Sequence, residues 1–104
     1  MHIKIIINLI PDSSSVDDVV KSSNVAIEGH PYYLSCEVSG DPVLSVSWIK
    51  VSNDEHRVGK ILNFTSISRN DAGSYTCEAS NRCGKDSKTE SINVFCKYHV
   101  LQAW

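Results

Sequence analysis

Apolar and polar residues alternate along this chain in short runs, and almost no stretch repeats at helical spacing. Tyr32, Leu34, Cys36 and Val38 alternate with polar neighbours, which puts one apolar face on an extended segment. Val46 and Trp48 share a face on the following run. Leu62 and Phe64 then point one way while Asn63 and Thr65 point the other, and Ile67 follows a step in the alternation. Tyr75, Cys77 and Ala79 alternate next, and Ile92 and Val94 face inward on the last run. A loose Ser- and Asp-rich first strand region spans Val16 to Ile27, and Arg57-Val58 forms a short edge strand. The breaks fall at Glu28-Gly29-His30, Gly40-Asp41-Pro42, Ser52-Asn53-Asp54-Glu55, Asn70-Asp71-Ala72-Gly73 and Asn81-Arg82-Cys83-Gly84. Strands of this length, punctuated every 8–12 residues or so, predict an all-β sandwich or barrel.

Size allows one such unit. The 104 residues fit a single domain. A chain of this length buries roughly two-thirds of its unfolded surface, so a covalent cross-link would add a useful margin. The hydrophobic fraction of 41% and charged fraction of 21% are ordinary for a folded chain. A net charge of −2 gives no electrostatic footprint for nucleic acid or an anionic membrane. The N-terminal run Ile5-Ile6-Ile7-Asn8-Leu9-Ile10 ends at Pro11. It is shorter than the apolar core of a secretory signal and far shorter than a membrane span.

Enzymatic and metal chemistry find little support. Ser, His and Asp are present, but there is no nucleophile elbow and no Gly-rich oxyanion loop to assemble a triad. His2, His30, His56 and His99 fall in turns or tails and read as solvated surface. Cys77, Cys83, Cys96 and His99 are suitable zinc ligands by type, yet no pair has the short spacing of a structural zinc site. The expectation is no catalytic residue, no metal and no cofactor. Lys85, Lys88, Arg82 and Lys97 are offset by Asp86 and Glu90, which reads as a solvated edge. Asn63-Phe64-Thr65 is an N-glycosylation acceptor, with Asn63 outward beside inward Phe64. Asn81-Arg82-Cys83 is the rarer acceptor of the Cys type.

Taken together, the spaced residues resemble one family. Glu28-Gly29 precedes Leu34-x-Cys36, and Trp48 follows. Then comes Leu62-x-Phe64-x-x-Ile67-x-x-x-Asp71-x-Gly73-x-Tyr75-x-Cys77, continuing to Ala79, Asn81 and Gly84. This pattern, from about Val25 to Val94, resembles the immunoglobulin superfamily in its C2 or I-set form. The resemblance implies an antiparallel sandwich of about seven strands in Greek-key order. It implies a Cys36–Cys77 disulfide joining the two sheets, with Trp48 packed against it. Tyr75 takes the tyrosine-corner position, and Asp71 and Gly73 shape the turn before it. Gly84 fits a hairpin bulge. The short link from Trp48 to Leu62 leaves no room for the two extra strands of a variable-type domain.

Ser47-Trp48-Ile49-Lys50 and Cys77-Glu78-Ala79-Ser80-Asn81 are similar to the C2 domains of sialic-acid-binding immunoglobulin-type lectins and related adhesion receptors. The sugar site of those lectins lies on a variable-type domain, so it is not carried over, and Arg82 sits in a hairpin turn.

The resemblance implies a non-enzymatic recognition or spacer domain of a cell-surface adhesion or immune-type receptor. Its partners would be a protein ligand or neighbouring immunoglobulin domains. The partner-facing strands would be those bearing Trp48, Tyr75 and Ile92. The alternative is a secreted soluble recognition fragment; an anchor further along the parent transcript separates the two. Either would mature in an oxidising compartment and work outside the cell or at its surface, and contact with a membrane would come only through an anchor in a parent chain. Residues 1–12 are expected to be a linker or the end of a preceding domain, residues 13–96 the domain, and residues 97–104 a tail or linker. Ile7-Asn8 and Ile92-Asn93 stand one domain length apart, as a tandem array predicts. The chain then reads as one unit of a longer receptor, or a truncated gene model. Cys83 and Cys96 lie at opposite ends of the last strand, roughly 30 Å apart at ~3.3 Å per residue. That is well beyond the ~7 Å reach of a disulfide, so they either pair with another chain or domain or stay reduced.

Overall fold

Period-two alternation becomes two packed sheets in the computed structural model, which describes residues 13–40 and 45–96. The flanks 1–12 and 97–104 lie outside the described residues, as do Asp41-Pro42, His2, Lys97 and His99. Strands β1 (Ser15–Lys21), β3 (Tyr32–Ser39) and β6 (Ile61–Phe64) form a three-stranded antiparallel sheet in the order β1-β3-β6. Strands β4 (Ser45–Lys50), β5 (Glu55–Val58), β7 (Gly73–Asn81) and β8 (Gly84–Ile92) form a four-stranded antiparallel sheet in the order β5-β4-β7-β8. Two further segments, β2 (Ala26–Ile27) and β9 (Val94–Phe95), are two residues each and pair in parallel. The fold is therefore an all-β immunoglobulin-like sandwich.

The core lies between the sheets. Val16, Val19, Tyr32, Leu34, Leu62 and Phe64 face it from one side, and Trp48, Tyr75, Ala79 and Ile92 from the other. Each belongs to the inward set of its strand, so one-residue slips in register would expose the whole set. Cys36 and Cys77, both buried, join β3 to β7 by a disulfide through this core. Trp48 is 1% exposed and pairs directly with Cys77 across β4 and β7. A buried indole still needs a partner for its N–H. Trp48 Nε1 donates to the Lys60 carbonyl at 2.9 Å, and the Cys36 amide donates to the same oxygen at 2.9 Å.

That carbonyl marks where the chain changes sheets. β5 ends at Val58 and β6 starts at Ile61, so Gly59 and Lys60 alone carry the crossing. No strand intervenes, and β6 pairs only with β3 among the described residues. The short link anticipated between Trp48 and Leu62 thus takes the form of one edge strand, β5, and an immediate crossing. The hairpin at Asn81 differs from expectation. Its ladder runs unbroken from Gly73↔Ile92 to Asn81↔Gly84, with no bulge. The side-chain Oδ1 of Asn81 accepts from the amides of Cys83 and Gly84 at 2.9 and 3.1 Å, which closes a two-residue turn without an inserted residue. The strand count also differs, because the expected last strand divides into β8 and β9 and the first region into β1 and β2.

Candidate interaction face

Inward residues are occupied by the core, so any contact with another molecule uses the outward ones. On the four-stranded sheet these are mostly hydroxyl-bearing. Rows across the strands read Val58, Ser47, Glu78, Ser87 and then His56, Ile49, Thr76, Thr89. The hydroxyls satisfy one another: Ser45 with Ser80 at 2.7 Å, Thr76 with Thr89 at 2.8 Å, and Ser74 with Ser91 at 3.2 Å. Such cross-strand hydroxyl pairs hold the sheet without adding charge, and Lys85, in line with Ser45 and Ser80, is the cation of the face. Glu78 is the carboxylate in these rows, and Val58, 93% exposed, is the apolar rim on edge strand β5.

Trp48, Tyr75 and Ile92 lie on the strands expected to face a partner, but their side chains point into the core. They position the face instead. Tyr75 donates from its hydroxyl to the Asp71 carbonyl at 2.6 Å. Asp71 closes a single 3₁₀ turn (Arg69–Asp71), and its carboxylate accepts from the Ser68 amide at 2.9 Å and the Ser68 hydroxyl at 3.3 Å. The turn leads into β7 through Gly73, whose φ of 136° is one that a side chain would strain. Burial first, and then the nearby Asp71 charge, push the Tyr75 phenol up to about 12, so it stays protonated and donates across the working range. Phe64 meets the Tyr75 ring edge-on at 5.9 Å, and the Lys50 ammonium sits 5.7 Å from the same ring.

The charges around the sandwich are tied into its frame. Arg69 binds both carboxylate oxygens of Glu28 at 3.2 Å, which holds the Glu28 carboxyl below its ordinary range. Asp86 accepts from the Val16 amide at 2.8 Å, and Lys21 lies 3.3 Å from Glu90, so β8's acidic residues stitch it to β1. This is the physical content of the solvated edge read at Lys85 to Glu90. Cys83 and Cys96 are both exposed, at opposite ends of the β8–β9 segment. No group of three or more His, Cys, Asp or Glu among the described residues is arranged to hold a metal. No helix among them is long and apolar enough to cross a membrane.

The outer face of the three-stranded sheet is different. Val20, Tyr33, Ser35, Glu37, Ile61 and Asn63 line a shallow groove there. The hydrophobic members are 44%, 41% and 58% exposed for Val20, Tyr33 and Ile61. Sequence alternation marks Tyr33 and Asn63 as outward. Only the register shows that they are directly opposed.

A family model described as "Immunoglobulin domain" matches residues 17–81, more than half of the chain. Human hemicentin-1 is 39% identical over 70 residues, covering 60% of this chain and 1% of that protein. Neural cell adhesion molecule 1 of Gallus gallus is 37% identical over 76 residues, covering 59% of this chain and 7% of that protein. The solved ectodomain of mouse nectin-like molecule 4 superposes with a TM-score of 0.72 at 27% identity, over 83% of this chain and 31% of that one. The chain thus spans a small part of each relative's length. With two sheets closed over Trp48 and the Cys36–Cys77 bond, and with this match, the chain belongs to the immunoglobulin-domain family.

Proposed function

We propose that this domain is a non-catalytic recognition or spacer unit of an extracellular adhesion protein, and that it meets its partner through the outer face of the four-stranded sheet. The observation that carries the reading is that face itself: three cross-strand hydroxyl pairs spanning β4, β7 and β8, with an apolar rim at Val58 on β5 and one charge of each sign, Glu78 and Lys85. Polar groups already paired with one another lose less hydration than unpaired ones when another protein covers them. A relative whose name includes cell adhesion supports the class of protein. The Cys36–Cys77 bond supports an oxidising compartment, outside the cell or at its surface.

Residues 13–96 are the unit in this reading, and residues 1–12 and 97–104 join it to neighbours. The partner is another immunoglobulin-type domain or a protein ligand. The crossing at Gly59-Lys60 supports the C2-type form, and the likeness to C2 domains of sialic-acid-binding lectins supports a place between a distal reader and an anchor. Nothing in the face's chemistry calls for a cofactor.

Beads coated with the full chain test it. Clustering that Ile49→Arg abolishes supports recognition of a second copy through this face, and beads that stay dispersed rule out a second copy as the partner. Hydrolytic turnover by purified protein, abolished by a Ser or His substitution, overturns the non-catalytic reading.

A further inference from the structure

We propose that Asn63 carries an N-linked glycan whose first sugar lies along the groove of Val20, Tyr33 and Ile61, so that the chain's own carbohydrate covers the outer face of the three-stranded sheet. The proposal rests on the extracellular reading above, because the modification occurs in the secretory pathway.

Three observations converge on it. First, Asn63 and Thr65 of the acceptor triplet are both exposed, while Phe64 between them is buried in the core. The triplet is held with its two reactive residues outward and its middle residue anchored. Second, Asn63 stands directly opposite Tyr33 in the β3–β6 ladder. Opposed residues of an antiparallel pair bring their Cβ atoms within about 5 Å, so a sugar on Asn63 starts beside the phenol ring. A pyranose presents C–H bonds on one face, and these carry partial positive charge. The aromatic face carries the negative part of the ring quadrupole, so the two faces attract. Val20 and Ile61 extend the apolar floor, while Ser35 and Glu37, hydrogen-bonded to each other at 2.9 Å, offer oxygens to the sugar's hydroxyl and acetamide groups.

Third, β6 is an open edge. It pairs with β3 on one side, and no further strand lies beyond it among the described residues. An edge with Ile61 at its start is a template for unwanted strand pairing unless something bulky blocks it. A branched carbohydrate at Asn63 blocks it and wets the groove together.

The chemistry is ordinary transfer from a polyprenyl-pyrophosphate-linked oligosaccharide. The Asn63 amide nitrogen attacks the anomeric carbon. The N–C bond forms as the C–O bond to phosphate breaks, and the pyrophosphate leaves with the electron pair. The amide proton passes to a base of the transferase.

The test uses the full chain, secreted from mammalian cells behind a generic signal peptide. Intact mass should fall by a whole glycan after peptide-N-glycosidase, with heavy oxygen from labelled water incorporated at position 63, and Asn63→Gln should show neither change. Secreted chain with Cys36–Cys77 oxidised but Asn63 unmodified overturns the proposal and leaves the extracellular reading standing. Chain that is exported only reduced and misfolded counts against that reading and the proposal together. Placement of the sugar is read after trimming to one N-acetylglucosamine. Its acetamide methyl resonance should shift upfield, and Tyr33→Ser should abolish the shift. The trimmed glycoform should bind an apolar fluorescent dye several-fold less than Asn63→Gln. An unshifted methyl and equal dye binding overturn the groove assignment.

Discussion

The two outer faces of this sandwich are built on the same core yet have opposite surface chemistry. The four-stranded face carries Ser45, Ser47, Ser74, Thr76, Ser80, Ser87, Thr89 and Ser91, and several of these hydroxyls close bonds with their cross-strand neighbours. The three-stranded face carries Val20, Tyr33 and Ile61 around an acceptor Asn. Self-satisfied polar rows suit a surface that is covered and uncovered reversibly. An apolar groove beside an open edge suits one that is covered for good. A family fold fixes which residues point out, and the outward residues then decide what each sheet does.

The largest expected effect removes the comparison altogether. Trp48→Ala should cost about 3–5 kcal/mol, because Trp48 fills the space that both sheets share. Both faces should be lost in one cooperative step; a melting curve unchanged by the substitution contradicts burial of Trp48. Next, replacing Cys36 and Cys77 together with Ala should cost about 2–5 kcal/mol. Non-reducing peptide mapping should first show these two residues linked, and a different partner for Cys36 sinks the sandwich argument.

Smaller effects separate the faces. Tyr75→Phe removes one hydrogen bond beneath the four-stranded sheet and should cost about 1 kcal/mol at neutral pH. It has a pH signature as well. The folded phenol titrates at about 12 rather than the ordinary 10.0, so the folded state holds a proton that the unfolded chain has released. Stability is therefore intact below pH 10 and falls as pH rises toward 12. Tyr75→Phe should flatten that alkaline slope in a series of melting curves. Small in stability, but sharpest for the comparison, are Ile49→Arg and Ile61→Arg. Ile61→Arg should change stability by less than about 0.5 kcal/mol, since Ile61 is 58% exposed, and the half-buried Ile49→Arg should cost about 1 kcal/mol. The first should stop bead clustering, while the second should lower dye binding only in unglycosylated protein. A result the other way round exchanges the roles of the two faces.

How far the sequence shows this depends on the distance between the residues involved. The core was legible because burial on one side of a strand writes itself into alternate positions, as at Tyr32-x-Leu34-x-Cys36 and Tyr75-x-Cys77-x-Ala79. Outward hydroxyls were legible by the same period, as the complement of that set. Features that join remote segments were not. The parallel pairing of Ala26 with Val94 spans most of the chain, and the Glu28–Arg69 pair bridges 41 positions. The groove brings Val20, Tyr33 and Ile61 together through two separate registers, neither of which leaves a local signal. The family pattern and the freedom of glycine predict a bulge at Gly84. The two amide bonds to Asn81 remove the need for it.

The Lys60 carbonyl, which receives both the Trp48 indole and the Cys36 amide, has a consequence for how this domain tolerates change. Every amino acid offers the same carbonyl, so the side chain at position 60 is free to vary while its backbone is held fast. Lys60→Ala should leave the melting temperature within about a degree of the parent. The instruction for changing sheets is thus held by the donors at 36 and 48, and the residue at the crossing itself is left open to drift.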